Sequence, residues 1–228
     1  LKAAKSTAGA VAAASHTGSL ASADNLYQAF FRQSGLLRVT DSQELLDLAQ
    51  FLAWQSAYAG KLERVAILTN AGGPAVLATD QLIAEDLNLA ELSAATQEKL
   101  QSFLPPAASI KNPVDMLGDA SAATYRQALE VLIADANVDA CLLLLTPQSM
   151  TDSQAVAAEI ISIQDKLSKP LALAFIGGAA VSGAISDLRR AGLMVSSFPE
   201  QAAKNLGALA LVRRLQTATA TTDKTVSP

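Results

Sequence analysis

The sequence predicts an α/β protein built around a doubly wound parallel sheet. Runs of about five apolar residues recur along the chain, each followed by a segment whose apolar positions fall at helical spacing. Continuous rather than alternating apolar strands indicate a sheet covered on both faces by helices. Turns marked by Gly, Pro and Asn separate several of the strands from the helix that follows.

Taken in order, residues 1–21 are small and polar with no sustained period, which reads as loop. Asp24 to Gln33 is helical and is stopped by Gly35, a glycine at the expected C-terminal cap. Leu36–Val39 is a short strand candidate. Asp41 and Glu44 have capping-box spacing, opening a helix to about Tyr58. Gly60-Lys61 marks the expected domain junction. Val65–Thr69 is a strand, and Asn70-Ala-Gly-Gly-Pro74 a turn opening a helix to about Glu85, with Pro74 at the first helical position. Leu87–Ala90 is a short strand, and Ser93–Phe103 a helix stopped by Pro105-Pro106. Asn112–Gly118 is a loop or edge segment in which Pro113 forces Asn112 into an extended conformation. Helix Ser121–Ala134, strand Val138–Leu145, turn Thr146–Met150, helix Thr151–Leu167 and strand Leu171–Ile176 follow. Gly177-Gly178 opens a helix to Ala191, Leu193–Ser196 is the last strand, and Pro199 to about Leu215 the last helix. This cadence gives a flavodoxin-like domain over 60–215. The helix–strand–helix order before it suits the C-terminal part of a second flavodoxin-like domain over 1–59, and 216–228 reads as a linker or disordered tail. Because the first residue is Leu1, a longer parent chain is expected.

Composition removes several function classes. The chain has 228 residues, 50% hydrophobic and 17% charged, too apolar for a disordered protein and long enough for a real core. Its net charge of −4 and pI near 5.0 offer no basic face for nucleic acid. Cys141 is the single cysteine and lies in an apolar run, so neither a disulfide framework nor a Cys-rich metal site is expected. No strongly apolar run approaches the roughly 20 residues that span a bilayer. A cytoplasmic location follows as the expectation, without a membrane or metal.

Doubly wound sheets place ligands outside the carboxyl ends of their strands. The turns to inspect are therefore Asn70–Pro74, Asn112–Asp115, Thr146–Thr151 and Gly177–Ala180. His16 is the only histidine. It stands among Ser15, Thr17, Gly18 and Ser19, small hydrogen-bonding residues suited to an exposed loop that approaches another group closely. A neutral imidazole is nucleophilic near pH 7 and serves as a base, a metal ligand or a phosphoryl acceptor. A metal is disfavoured by the lack of a second histidine, and a Ser-His-Asp hydrolase by the lack of a Gly-x-Ser-x-Gly elbow. An exposed histidine without a role stays open at this point.

Ser15-His-Thr-Gly-Ser-Leu-Ala21 resembles the phosphohistidine loop of the NDP-forming acyl-CoA synthetases, relatives of succinyl-CoA synthetase. Thr69-Asn-Ala-Gly-Gly-Pro74, Leu104-Pro-Pro-Ala-Ala108, Asn112-Pro-Val-Asp115, Gly118-Asp119 and Leu145-Thr-Pro-Gln-Ser-Met-Thr-Asp152 resemble further signatures of that family in its order, covering about residues 5–215. The resemblance implies interconversion of acyl-CoA, ADP and phosphate with the free acid, CoA and ATP. His16 would be the catalytic residue, taking the phosphoryl from an acyl phosphate and handing it to the nucleotide. Ser15, Thr17, Gly18 and Asp115 would support the loop.

A dianionic phosphoryl group needs donors, and helix N-termini supply free N–H groups and the positive end of the dipole. The helix starts after Asn70-Ala-Gly-Gly and after Thr146-Pro-Gln-Ser-Met are the expected phosphate cradle. Gly72 and Gly73 would allow close backbone approach, Asn70 and Gln148 would donate amides, and Ser149 and Thr151 hydroxyls. The bland readings stand beside these: Gly72-Gly73-Pro74 as a plain turn, and Thr151 with Gln154 as a capping box.

CoA, ATP or ADP and Mg are expected in the complete enzyme, held mainly by a CoA-binding domain and an ATP-grasp domain or subunit. No Gly-x-Gly-x-x-Gly and no ATP-grasp module stand in this sequence. The fragment alone is therefore expected to be inactive, and the enzyme to be an oligomer acting on a small-molecule substrate. Two alternatives stand beside this reading: an acyl-CoA-sensing, synthetase-like region of a protein lysine acetyltransferase, and a plain oligomerisation module. Retention of His16 favours the enzyme.

Overall fold

The computed structural model describes residues 1–17, 24–55 and 58–222. They form two compact units, residues 1–49 with the chain from 214 onward, and residues 50–213. The division falls inside a helix, before the Gly60 junction expected from sequence.

The first unit is helical. Helix α1 spans Thr7–Thr17, where loop was expected. Its run of alanines has the highest intrinsic helix propensity, and Ser6 caps it by accepting a hydrogen bond from Gly9 N–H at 3.1 Å. Helix α2, Asp24–Gln33, ends as predicted. Gly35 takes φ +64°, and Leu36 N–H donates to the Phe31 carbonyl at 2.9 Å, a Schellman closure. Leu36–Val39 is not a strand, since no ladder partner lies beside it among the described residues. Arg38 instead reaches back to α2, donating to Gln28 and to Asp24 (2.6 Å). Helix α3, Ser42–Trp54, stops short of Tyr58. Asp41 caps it, accepting from Glu44 N–H at 2.8 Å, while Glu44 returns a bond to Thr40 N–H at 2.6 Å. The box forms with its reciprocal arm one residue early.

The second unit carries the sheet. After the end of α3 come β1 (Arg64–Thr69), α4 (Gly72–Ala84), β2 (Asn88–Leu89), α5 (Ala94–Gln101), β3 (Val114–Asp115), α6 (Ala122–Ala134) and β4 (Ala140–Leu145). Then come α7 (Ser153–Ile163), β5 (Leu171–Phe175), α8 (Ser182–Arg190), β6 (Val195–Ser196) and α9 (Pro199–Thr222). The sheet is parallel in the order β2-β1-β4-β5-β6, with β3 joining β1 farther along the β2 edge, Leu68 opposite Val114. Alternate residues of the central strands face opposite sides. Ala66, Leu68, Cys141 and Leu143 pack with Leu100, Tyr125, Val156 and Leu188 of α5 to α8. Val65, Ile67, Leu142 and Leu144 pack with Phe51, Ala78 and Leu206 of α3, α4 and α9. Both faces are dry, which is why the strands read as unbroken apolar runs.

Some boundaries shift for identifiable reasons. Pro74 is the third residue of α4, not the first; the N–H groups of the first turn all lack intrahelical partners, so proline is tolerated there equally. Helix α7 begins at Ser153 because Asp152, not Thr151, caps it. A 3-10 turn over Gly178–Val181 precedes α8, and α9 runs on to Thr222 past the expected end near Leu215.

The Asn112–Gly118 segment is an edge. The Asn112 side chain fills the gap on β1 between β2 and β3: its Oδ1 accepts from Ile67 N–H at 2.9 Å, and its Nδ2 donates to the Val65 and Ala90 carbonyls at 2.8 and 3.0 Å. An amide carries both a donor and an acceptor, so it stands in for a missing strand residue.

Candidate functional site

The sheet order reverses between β1 and β4: β1 leads through α4 to β2 on one side, while β4 lies on the other. Such a switch point opens a crevice beyond the carboxyl ends of the two strands. Asn70 follows β1 there, and Thr146 follows β4.

Asn70 is 3% exposed. Its Oδ1 accepts from Thr146 N–H at 2.9 Å and from Thr146 Oγ1 at 3.0 Å. Its Nδ2 donates to the Thr146 carbonyl at 2.8 Å and to Thr151 Oγ1 at 3.3 Å. Both amide protons are engaged, so Asn70 stitches two turns together instead of presenting a donor outward. Thr151, also buried, donates in turn to the Gly118 carbonyl at 3.1 Å. A chain of side chains thus ties the β1–α4, β4–α7 and β3–α6 connections. Thr146 and Gly118 were not among the expected site residues; a polar residue directly after an apolar strand was the available signal for Thr146. Behind this edge, Pro147 packs so tightly on Gly177 (φ +151°) that a Cβ there would stand 2.6 Å from its Cγ.

The two helix starts differ. At α7, Asp152 Oδ1 accepts from Gln154 and Ala155 N–H, both at 3.0 Å. At α4, Ala71 occupies the cap position in an extended conformation and makes no side-chain cap bond. Gly72 and Gly73 follow it, exposed, and a Cβ on Gly73 would meet nothing within 4 Å. Pro74 has no N–H, so the open donors of this turn are the amides of Gly72 and Gly73. The cradle built from two equal termini is therefore one open terminus beside one already closed by a carboxylate.

Around that mouth, Asp115 Oδ1 accepts from Leu117 N–H at 3.0 Å, and its Oδ2 lies 3.5 Å from where a Gly72 Cβ would stand. Gln148 is exposed, covers Gly118 and donates weakly to Thr146 Oγ1 at 3.4 Å; Ser149 is exposed on the same turn. Tyr125 lies beneath. Burial, and next the Asp115 carboxylate, raise its pKa, and its hydroxyl donates to the Leu144 carbonyl at 3.3 Å. Burial pushes the Cys141 thiol up to about 12, which leaves it an inert core group.

His16 belongs to the first unit, as the next-to-last residue of α1 before Thr17, and not to a loop. Ser15 Oγ donates to the Ala12 carbonyl at 2.7 Å, bonding back into its own helix. Gly18 lies outside the described residues. Among those residues no group of three His, Cys, Asp or Glu side chains is placed to hold a metal ion.

Residues 65–219 match the Ligase-CoA domain family, and residues 1–52 match the succinyl-CoA ligase like flavodoxin domain. The chain belongs to the ADP-forming acyl-CoA synthetase and succinyl-CoA ligase-like superfamily. Among members of this superfamily, it is 39% identical over 209 residues to the ADP-forming acetate–CoA ligase I of Archaeoglobus fulgidus, covering 92% of this chain and 29% of the relative. It is 39% identical over 218 residues to the alpha subunit of the ADP-forming acetate–CoA ligase II of Pyrococcus furiosus, covering 94% and 47%. Its fold superposes with a TM-score of 0.87 and 30% identity on a dinucleotide-forming acetyl-coenzyme A synthetase from Candidatus Korarchaeum cryptofilum, solved in complex with phosphate and ADP, covering 100% of this chain and 48% of that one. The chain thus spans less than half the length of these superfamily members. No helix among the described residues is long and apolar enough to cross a membrane.

Proposed function

We propose that this chain is the phosphoryl-relaying portion of an ADP-forming acyl-CoA synthetase, with residues 1–59 bearing the relay histidine and 60–215 the phosphate-binding turns. The observation that carries the reading is the uncapped Gly72-Gly73 start of α4 at the switch point of the sheet. Free N–H groups and the positive end of the helix dipole at such a start favour an oxyanion.

In this reading an acyl phosphate, formed when phosphate displaces CoA from the acyl thioester, is attacked in line at phosphorus by a neutral ring nitrogen of His16. The N–P bond forms, the P–O bond to the acyl group breaks, and the carboxylate leaves. A terminal oxygen of ADP then takes the phosphoryl, restoring the imidazole. Gly72 and Gly73 hold the phosphate oxygens, with Gln148 and Ser149 donating from the neighbouring turn. Asn70 and Thr151 act through position, fixing the distance between the two turns. Ser15, Thr17, Gly18 and Asp115 support the approach of His16.

CoA, the nucleotide and its Mg²⁺ are assigned to the remainder of the enzyme, a CoA-binding domain and an ATP-grasp domain or subunit. Mg²⁺ supplies charge neutralisation at the nucleotide when bound. Assembly into an oligomer in the cytoplasm belongs to the same reading. Labelling of the complete enzyme with radioactive phosphate from ATP tests it. The wild type is expected to hold acid-labile, base-stable label and His16→Ala none; equal label in that variant refutes the role of His16.

A further inference from the structure

We infer a second anion site on the same edge of the sheet, at the β5–β6 end, suited to a phosphomonoester with a flat or apolar body. A cavity of about 520 Å³ opens there, within the range of small-molecule sites. Helix α8 forms one wall. Ser182, Ser186 and Arg189 follow one another at i, i+4 and i+7; Ser182 Oγ gives its proton to the Ala179 carbonyl at 2.9 Å, so the stripe offers an anion the Ser186 hydroxyl and the Arg189 guanidinium. Ser197, just after β6, lines it as well, and Ile185 on α8 supplies apolar surface above the buried Phe175.

Arg189 decides the chemistry. Its Nη2 donates to the Val195 carbonyl at 3.3 Å, which orients the guanidinium, while among the described residues no carboxylate lies within 4.0 Å to neutralise it. The adjacent Arg190, by contrast, is paired with Asp187. A guanidinium fixed by a neutral acceptor keeps its charge and its remaining forked donors for a ligand, and that fork matches a phosphate. In a protein of net charge −4, an uncompensated and oriented cation beside hydroxyls marks a place for an anion. The cavity exceeds what a bare phosphate fills, and part of its lining is apolar; hence the organic body. Strand β4 stands between this cavity and the turn after β1, so the cavity does not include the Gly72 and Gly73 amides.

Isothermal titration of the full 228-residue chain with AMP as probe tests the inference. Saturable binding is expected for the wild type, weaker by about tenfold or more in Arg189→Gln, the factor that about 1.4 kcal/mol corresponds to. Ser186→Asp, which sets a carboxylate at an exposed position one turn from Arg189, is expected to abolish binding without touching the core. Should Arg189→Gln not fold, Ser186→Asp gives the answer alone. Adenosine, lacking the phosphate, is expected not to bind, and inorganic phosphate to bind more weakly than AMP. The inference fails if AMP shows no saturable binding, if adenosine binds as well as AMP, if inorganic phosphate binds as well as AMP in a manner lost in Arg189→Gln, or if both variants bind AMP like the wild type.

Discussion

Helices α4 and α7 both begin at the carboxyl edge of the sheet, after the adjacent strands β1 and β4, and they begin in opposite ways. Asp152 closes α7 by accepting from Gln154 and Ala155 N–H, while α4 starts behind an alanine whose side chain makes no cap bond. A capping side chain is worth about 0.5–2 kcal/mol over alanine. The backbone of Ala71, at φ −155° and ψ 128°, already has the conformation that a capping Asp or Ser requires. Forgoing so accessible a gain leaves N–H groups free for something else to occupy. In the proposed function the capped helix serves the fold, and the uncapped one keeps its donors for a ligand.

The contact that makes these two helices one edge is Asn70, and breaking it should have the largest effect. Asn70→Ala removes every bond of a buried amide and leaves the Thr146 backbone N–H without its acceptor. A loss on the order of 3 kcal/mol is expected in a urea melt, since each unsatisfied buried group costs about 1–3 kcal/mol. A loss below about 1 kcal/mol would mean that the two turns hold their positions independently, and the comparison would lose its common frame.

Next in size is the conversion of α4 into a copy of α7. Ala71→Asp should cap the helix and add stability, by about 0.5 kcal/mol rather than more, because the Asp115 carboxylate already stands beside Gly72. The same change fills the donors and sets a negative charge where phosphate would sit. Phosphoenzyme formation in the complete enzyme should fall by about tenfold or more, equivalent to about 1.4 kcal/mol of lost binding. A variant that is more stable and equally active would show that the open start of α4 is only a turn.

The sequence exposes one side of this contrast better than the other. Unbroken apolar runs such as Cys141–Leu145 announce buried parallel strands because both their faces are covered, and Gly35 announces a helix end because φ +64° suits little else. Gly72-Gly73 is visible as a turn signal directly after an apolar run, although both glycines take up helical backbone. Helix α1 is hidden, since a run of alanine, glycine and serine gives no amphipathic period even where propensity and a Ser6 cap are enough. Leu36–Val39 is apolar like a strand, but a strand needs a neighbour, and pairing is not a local property. The capping of α7 is ambiguous for a related reason: Thr151 and Asp152 both carry an acceptor. The tie breaks only because Asn70 and Gly118, far away in sequence, claim the Thr151 hydroxyl. Likewise an amide such as Asn70 serves a ligand or a neighbouring turn with equal ease, and Thr146, distant in sequence, decides between them.

The smallest change opens α7 instead of closing α4. Asp152→Ala removes two bonds from an exposed side chain, so a loss of about 1 kcal/mol is expected from chemical denaturation, with the rest of the edge held by Asn70 and Thr151. Phosphoenzyme formation in the complete enzyme should stay at the wild-type level, because the donors that Asp152 blocks have no part in the proposed relay. If phosphate were instead shared between both helix starts, freeing the amides of Gln154 and Ala155 would raise the retained label. A rise in label would therefore make α7 a suppressed half of a symmetric cradle, whereas an unchanged level with a measurable loss of stability leaves phosphate binding to α4 alone.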